Sequence, residues 1–165
     1  MTDALPLPPG PSGHESAIVV SGLTKRYGAH AAVDELSVSI PAGSVCGLIG
    51  PNGAGKSTLM SILATLVRPT AGTATIYGHS TNDVARVRSL LGYVPGVLGT
   101  YAGLTVVEYL SFFADAYRIP AAERPALIDG LLELVDLDGK RDSDVNTLSR
   151  GMKQRIGLAR GLVHQ

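Results

Sequence analysis

The sequence predicts an α/β fold from three observations. Short apolar runs bounded by Gly and Pro turns fill the first half of the chain. Apolar residues at helical spacing dominate residues 105–165. A glycine-rich loop, Gly50 to Gly55, joins one of the apolar runs to a helical pattern. The size and composition agree. The chain has 165 residues, 45% hydrophobic and 17% charged, which suits one domain and argues against wholesale disorder.

Charge and cysteine content narrow the function classes. Lys+Arg and Asp+Glu are both 14, so no net positive field gathers nucleic acid or anionic lipid, and no nucleic-acid partner is expected. One cysteine cannot form an internal disulfide, and no Cys/His cluster offers a zinc site. Cys46 lies in an apolar run and reads as a small buried hydrophobe. The first residues lack the pattern of a signal peptide, and no run approaches the roughly 18 apolar residues that cross a bilayer. A soluble, reducing location is the expectation, with peripheral membrane attachment left open.

Each element follows from local pattern. Residues 1–16 are rich in Pro, Gly and Ser and read as a disordered leader, with residues 17–165 as the folded part. A strand is expected from Ala17 to about Arg26, and a second over 31–40, with Leu36, Val38 and Ile40 on one face. Pro41-Ala42-Gly43 makes a turn. Val45 to Ile49 is continuously apolar, as in a strand buried on both faces. Lys56 to Val67 reads as a helix carrying Leu59, Ile62, Leu63 and Leu66. Residues 68–72 break it. Thr73–Tyr77 is a strand, Asp83–Ser89 a short helix, and Leu90–Val94 a strand stopped by Pro95-Gly96.

Thr105 and Glu108 have the form of a capping box for a helix with Val106, Leu110, Phe113 and Tyr117 on one stripe. Ile119-Pro120 ends it. A further helix spans roughly 121–136, where Leu127, Leu131 and Leu134 share a face and Pro125 falls in the first turn. Asp138–Asn146 is a polar loop. Ser149 then caps a last helix from 150 to about 163, whose Lys153, Arg155 and Arg160 read as a solvated face.

The loop Gly50-Pro51-Asn52-Gly53-Ala54-Gly55-Lys56-Ser57 fits G-x-x-x-x-G-K-[ST]. The residue types suit a triphosphate, a compact polyanion. Glycines let successive N–H groups of the loop, Ala54 included, turn inward, and the helix starting near Lys56 adds the positive end of its dipole. Lys56 supplies a full charge for the β- and γ-phosphates. Ser57 is placed to ligate Mg²⁺, and Thr58 to bond another phosphate oxygen. This loop alone gives a nucleoside-triphosphate binder and does not separate a small-molecule kinase, a GTPase and a transport ATPase.

Leu148-Ser149-Arg150-Gly151-Met152-Lys153-Gln154-Arg155 resembles the signature motif of ABC-type ATPases, usually Leu-Ser-Gly-Gly-Gln followed by a basic stretch. Residues 17–165 are similar to that family in order: two strands, P-loop, helix, strand pair, helical subdomain (with the preceding loop, residues 96–148), signature. The resemblance implies that Ser149 and Gly151, with Arg150 and Met152 at the other signature positions, meet the γ-phosphate of ATP held by a second subunit. A Ser hydroxyl and free N–H groups at a helix N-terminus suit that role. Arg150 and Met152 stand where Gly and Gln are commonest. Tyr27 matches the position where the family stacks an aromatic ring on adenine. Gly92-Tyr93-Val94-Pro95-Gly96 looks like the family segment that ends in Gln; here Gly96 takes that place and has no side-chain ligand. Tyr101 to Leu110 looks like the start of the helical subdomain in exporter-type members.

The family's Walker B strand ends in an Asp for Mg²⁺ and a Glu that activates water. Val33-Asp34-Glu35 precedes the P-loop and Leu134-Val135-Asp136 precedes the signature, so neither is in the right place, and His164 is too early for the family's histidine loop. No catalytic residue is therefore expected within these 165 residues. The expected fold is a P-loop NTPase core with an N-terminal antiparallel β region and a helical subdomain, cut before the Walker B strand. The resemblance implies an ABC transporter ATP-binding subunit, exporter-like, using ATP and Mg²⁺. Its expected partners are a second nucleotide-binding domain and transmembrane permease subunits, placing it at the cytoplasmic face of the membrane. Two alternatives are an ABC-type ATPase of DNA repair or translation and a module that holds nucleotide without hydrolysis.

Overall fold

The computed structural model describes residues 16–96, 98, 99, 101 and 103–164. The leader expected over 1–16 lies outside these except for Ser16, which opens the first strand. The chain divides into two compact units, Met1–Leu91 and Gly92–Gln165.

The first unit is built on β1 (Ser16–Tyr27), β2 (His30–Pro41), β3 (Ala71–Ile76) and β4 (His79–Ser80), in the sheet order β2-β1-β3-β4. All pairings are antiparallel. Strict alternation predicts one inward face, but the buried apolar residues of β1 are Val20 and Leu23, and in β2 Val33 is buried with Leu36 half-buried. A spacing of three breaks the two-residue period, so each strand must change face. The register shifts at Val20/Leu23 and Leu23/Lys25 do this, with Glu35 at φ 44. The Glu35 N–H donates to the hydroxyl of buried Thr24 at 3.1 Å, which satisfies an amide freed from the ladder.

Helix α1 (Lys56–Leu63) buries Leu59, Ile62 and Leu63 against Val20, Leu23, Ala74 and Ile76. It is one turn shorter than its apolar stripe predicts. Thr65 takes φ 61, turning the chain out of the helix, and Leu66 is exposed. Helix α2 (Val84–Arg88) is capped by Asp83, whose side chain accepts from Arg86 N.

Two expected strands are absent. Val45 to Ile49 forms no strand, and Val45 and Ile49 are 91% and 94% exposed. Burial on both faces needs strands on either side, and among the described residues none pairs with this run. Cys46 within it is exposed, not buried. Leu90–Val94 is likewise unpaired.

The second unit packs α3 (Val106–Ala116), α4 (Arg124–Leu134) and α5 (Arg150–Leu162) around Val106, Tyr109, Leu110, Ile128, Leu132, Ile156 and Ala159. The capping box of α3 is present: Glu108 N donates to Thr105 Oγ1 and Thr105 N donates to the Glu108 carboxylate. The Thr105 N–H and the Thr105 hydroxyl both donate to this carboxylate and hold it below its ordinary range. In α4 the buried face is Ile128, Leu131 and Leu132; Leu134, expected inward, is 66% exposed. The polar loop 138–146 contains a short 3₁₀ turn, Asp138–Lys140, and leads into another, Val145–Thr147, that buries Val145. In place of the expected strand, segment 92–94 crosses α5 at glycines. A Cβ on Gly92 would lie 2.3 Å from Gly161 O, and one on Gly161 3.0 Å from a Val94 methyl.

One glycine gives a sharp test of the sheet. Gly72 has φ 76, and a Cβ there would lie 2.2 Å from Gly22 O and 2.7 Å from Leu23 Cα. Both are backbone atoms of β1, so relief requires moving the strand. Gly72→Ala is expected to cost about 2–5 kcal/mol from backbone strain plus overpacking. Gly28 also has positive φ but faces open space, so Gly28→Ala carries only the strain, about 1–2 kcal/mol. Urea midpoints for the two variants check the difference.

Candidate functional site

The phosphate loop ends at Gly55, which is the residue before α1 and has φ 79. A Cβ on Gly55 would lie 2.0 Å from Ala32 O, so only glycine allows the loop to pass this close to β2. Ala54 N donates to Pro51 O at 3.3 Å, curling the loop, and Leu59 N donates to Gly55 O at 2.9 Å, starting the helix. No side chain caps α1, and no acidic residue occupies its first turn. The first amides of the helix, at Lys56, Ser57 and Thr58, have no intrahelical acceptor, so this end presents donors of the kind that suit an anion. Lys56 Nζ donates to the carbonyls of Gly50 and Pro51 at 2.7 and 2.6 Å, which holds the ammonium over the loop.

The exposed residues Gly50, Asn52, Gly53 and Ala54 form the loop, and Ser57 is exposed in the first helical turn. A cavity of about 260 Å³ runs between loop and β2, lined by Ala32, Val33, Asp34, Gly55, Lys56 and Leu59 among others. The sequence pattern gives residues 31–40 only as a strand and sets Val33-Asp34-Glu35 aside as out of place for Walker B; their place on this cavity wall follows from the close passage of Gly55 over Ala32. Asp34 itself pairs with Arg26 at 3.5 Å. Tyr27 closes β1, is paired with His30 across the hairpin, and is 52% exposed. The hairpin end and the loop are thus linked through Ala32, two residues beyond His30.

The residues fit a magnesium–nucleoside-triphosphate group. The Gly55 cradle, the uncapped helix end and the Lys56 charge match the phosphates, and Ser57 Oγ offers one oxygen ligand of the hard type magnesium takes alongside phosphate oxygens and waters.

In the second unit, Ser149 is the N-cap of α5, and its Oγ accepts from Met152 N at 3.3 Å. The hydroxyl proton remains available to donate. Arg150 and Gly151 are exposed, and nothing lies within 4 Å of a Cβ built on Gly151. The Met152 side chain packs against the helical core. The basic residues are half-exposed and each is hydrogen-bonded. Lys153 Nζ donates to Asn146 O, Arg155 donates to Val135 O and Asp136, and Arg160 donates to the Tyr109 hydroxyl, which itself donates to Gly99 O at 2.9 Å. Burial pushes the Tyr109 phenol up, keeping its proton in place for that bond. Gly96 and Arg150 share a cavity of about 680 Å³ with Val94, Pro95, Leu98, Lys153 and Gln154.

Comparison with known proteins places this geometry. Residues 33–165 match the ABC transporter family. The chain is 40% identical over 159 residues to the Nod factor export ATP-binding protein I of Ralstonia nicotianae, covering 95% of this chain and 50% of that protein. It is 40% identical over 146 residues to the sulfate/thiosulfate import ATP-binding protein CysA of Mycobacterium bovis, covering 88% of this chain and 42% of that one. Among solved structures, a dimeric bacterial ABC transporter cassette superposes with a TM-score of 0.78 at 27% identity, over 89% of this chain and 69% of that one. The chain spans about half or less of the length of these curated relatives. The chain belongs to the ABC transporter family and has the fold of its ATP-binding cassettes.

Among the described residues, no helix is long and apolar enough to cross a membrane.

Proposed function

We propose that this chain is the nucleotide-binding part of an ABC transporter ATPase. The observation that carries this is the uncapped N-terminus of α1 behind Gly55, with Lys56 held over the loop. Residues Gly50, Asn52, Gly53, Ala54, Gly55, Lys56, Ser57 and Thr58 take the triphosphate, Ser57 takes Mg²⁺, and Tyr27 stacks on the adenine. Ser149 and Gly151, with Arg150 and Met152 at the other signature positions, face the γ-phosphate of ATP held by a second such domain. In the whole protein two domains close over ATP and hydrolyse it to drive permease subunits from the cytoplasmic face of the membrane. The dimeric solved relative and the transport proteins among the curated ones support this reading. Export is the direction proposed. The match to the export protein runs over 159 residues against 146 for the import protein, at equal identity.

Titration with ATP and with inorganic triphosphate tests the base contact. Tyr27→Ala is expected to weaken ATP by about 1–3 kcal/mol, the worth of one stacked base, and to leave inorganic triphosphate unchanged. Equal weakening of both ligands would make Tyr27 structural. Hydrolysis is a second test. Residues 1–165 hold no Asp-Glu pair at the end of an apolar strand after the signature. Groups that position metal and activate water matter by factors of about 10² each, so these residues alone are expected to bind ATP without measurable phosphate release. Turnover at ordinary enzymatic rates would contradict this.

A further inference from the structure

Tyr27 is not a free-standing ring. Lys25 Nζ sits over it, 5.0 Å from the ring centroid. Both residues lie at the end of β1, where the register shifts between Lys25 and Arg26. The ammonium is held from the other side as well: it donates to Arg68 O at 2.9 Å, in the segment that leads from α1 to β3. The same segment is tied to β1 again, with Arg26 N donating to Thr70 Oγ1 at 3.0 Å and Thr70 N donating to Thr24 O at 2.8 Å. Lys25 is therefore anchored to a braced piece of backbone, and it spends its charge on one face of the tyrosine.

The geometry points to Lys25 as a positioning residue for the nucleotide base, acting through Tyr27. A ring has two faces, and Lys25 covers one. Tyr27 is 52% exposed, and the face away from Lys25 is the one assigned to the base. The cation draws π density toward its own side, which lowers repulsion between the open face and the electron-rich face of a purine. It also restricts the tyrosine's rotamers before the base arrives, so less side-chain freedom is lost on binding. This assignment rests on the base-stacking role of Tyr27 proposed above and adds to it the residue that sets the ring.

The test is a double-mutant cycle read with ATP and with inorganic triphosphate, in the intact protein with magnesium. Lys25→Met keeps the aliphatic stem and removes the charge. It is expected to weaken ATP about two- to fivefold, the scale of an exposed cation–π contact, with inorganic triphosphate unchanged. Lys25→Arg is expected to restore ATP affinity, since guanidinium also stacks on aromatic faces. In the Tyr27→Ala background, Lys25→Met is expected to change nothing further. Equal weakening of ATP and triphosphate by Lys25→Met would make Lys25 a distant charge and overturn the proposal. So would an undiminished effect in the Tyr27→Ala background. Failure of the stacking reading gives a different result: Tyr27→Ala would then act on both ligands alike, or on neither, and Lys25 would have no base to position.

Discussion

Lys56→Ala is expected to lower ATP affinity by about tenfold or more, ~1.5–3 kcal/mol. Lys56 Nζ sits on the carbonyls of Gly50 and Pro51, so the loop carries a full positive charge over its own backbone. Charge-assisted bonds are about twice as strong as neutral ones, and a triphosphate would offer this donor charged oxygens in place of carbonyls. Alanine keeps the helix, being the best helix former, and removes the charge together with its two bonds to the loop carbonyls. The α1 amides still donate in the variant, so binding should weaken without vanishing. Calorimetric titration reads the change, and an unchanged isotherm would remove Lys56 from the phosphate site.

Ser149→Arg is expected to leave ATP binding at the phosphate loop intact and to abolish ATP-dependent association of the intact protein. Ser149 lies in the second unit and packs into neither core, so the first unit should be untouched. The change removes a cap, at about 1 kcal/mol of helix stability. Its larger effect is steric. Gly151 has open space at its Cα, and with Ser149 it leaves the start of α5 bare for an approaching phosphate. An arginine side chain would fill that approach. Light scattering with ATP decides it. A variant that still associates normally would contradict the role across an interface, and Ser149→Ala separates the lost cap from the steric block.

Much of this chain was legible in its sequence because the signals were local. Thr105 and Glu108 specify a capping box by spacing alone, and both of its bonds are present. Ser149 specifies a cap in the same way. The glycines of the phosphate loop were readable because a charged lysine and a short hydroxyl follow at fixed offsets, and the helix begins at that lysine. What failed was non-local. The run Val45 to Ile49 has a buried strand's composition, yet burial is conferred by neighbouring strands, and none among the described residues pairs with it. Leu66 and Leu134 both fit helical stripes; one falls beyond the turn at Thr65 and the other on the outer face of α4. Lys153, Arg155 and Arg160 read as solvated because charge on a helix usually is, but all three are half-buried, and Arg155 and Arg160 find acceptors 19 and 51 residues away in the sequence. The close passage of Gly92 over Gly161 left no sequence signal beyond the glycines themselves. Gly96 differs again. Its backbone does not require glycine and a Cβ there meets nothing within 4 Å, so the structure offers no steric reason for its departure from glutamine.

The central claim is that a triphosphate sits on the amides between Gly53 and Thr58. Amide hydrogen exchange with and without Mg-ATP tests it most directly, because it reports those N–H groups themselves. The account predicts that ATP slows exchange at residues 53–58, and that inorganic triphosphate protects the same amides. Saturating ATP that leaves exchange at residues 53–58 unchanged, or protects only other segments, would contradict it.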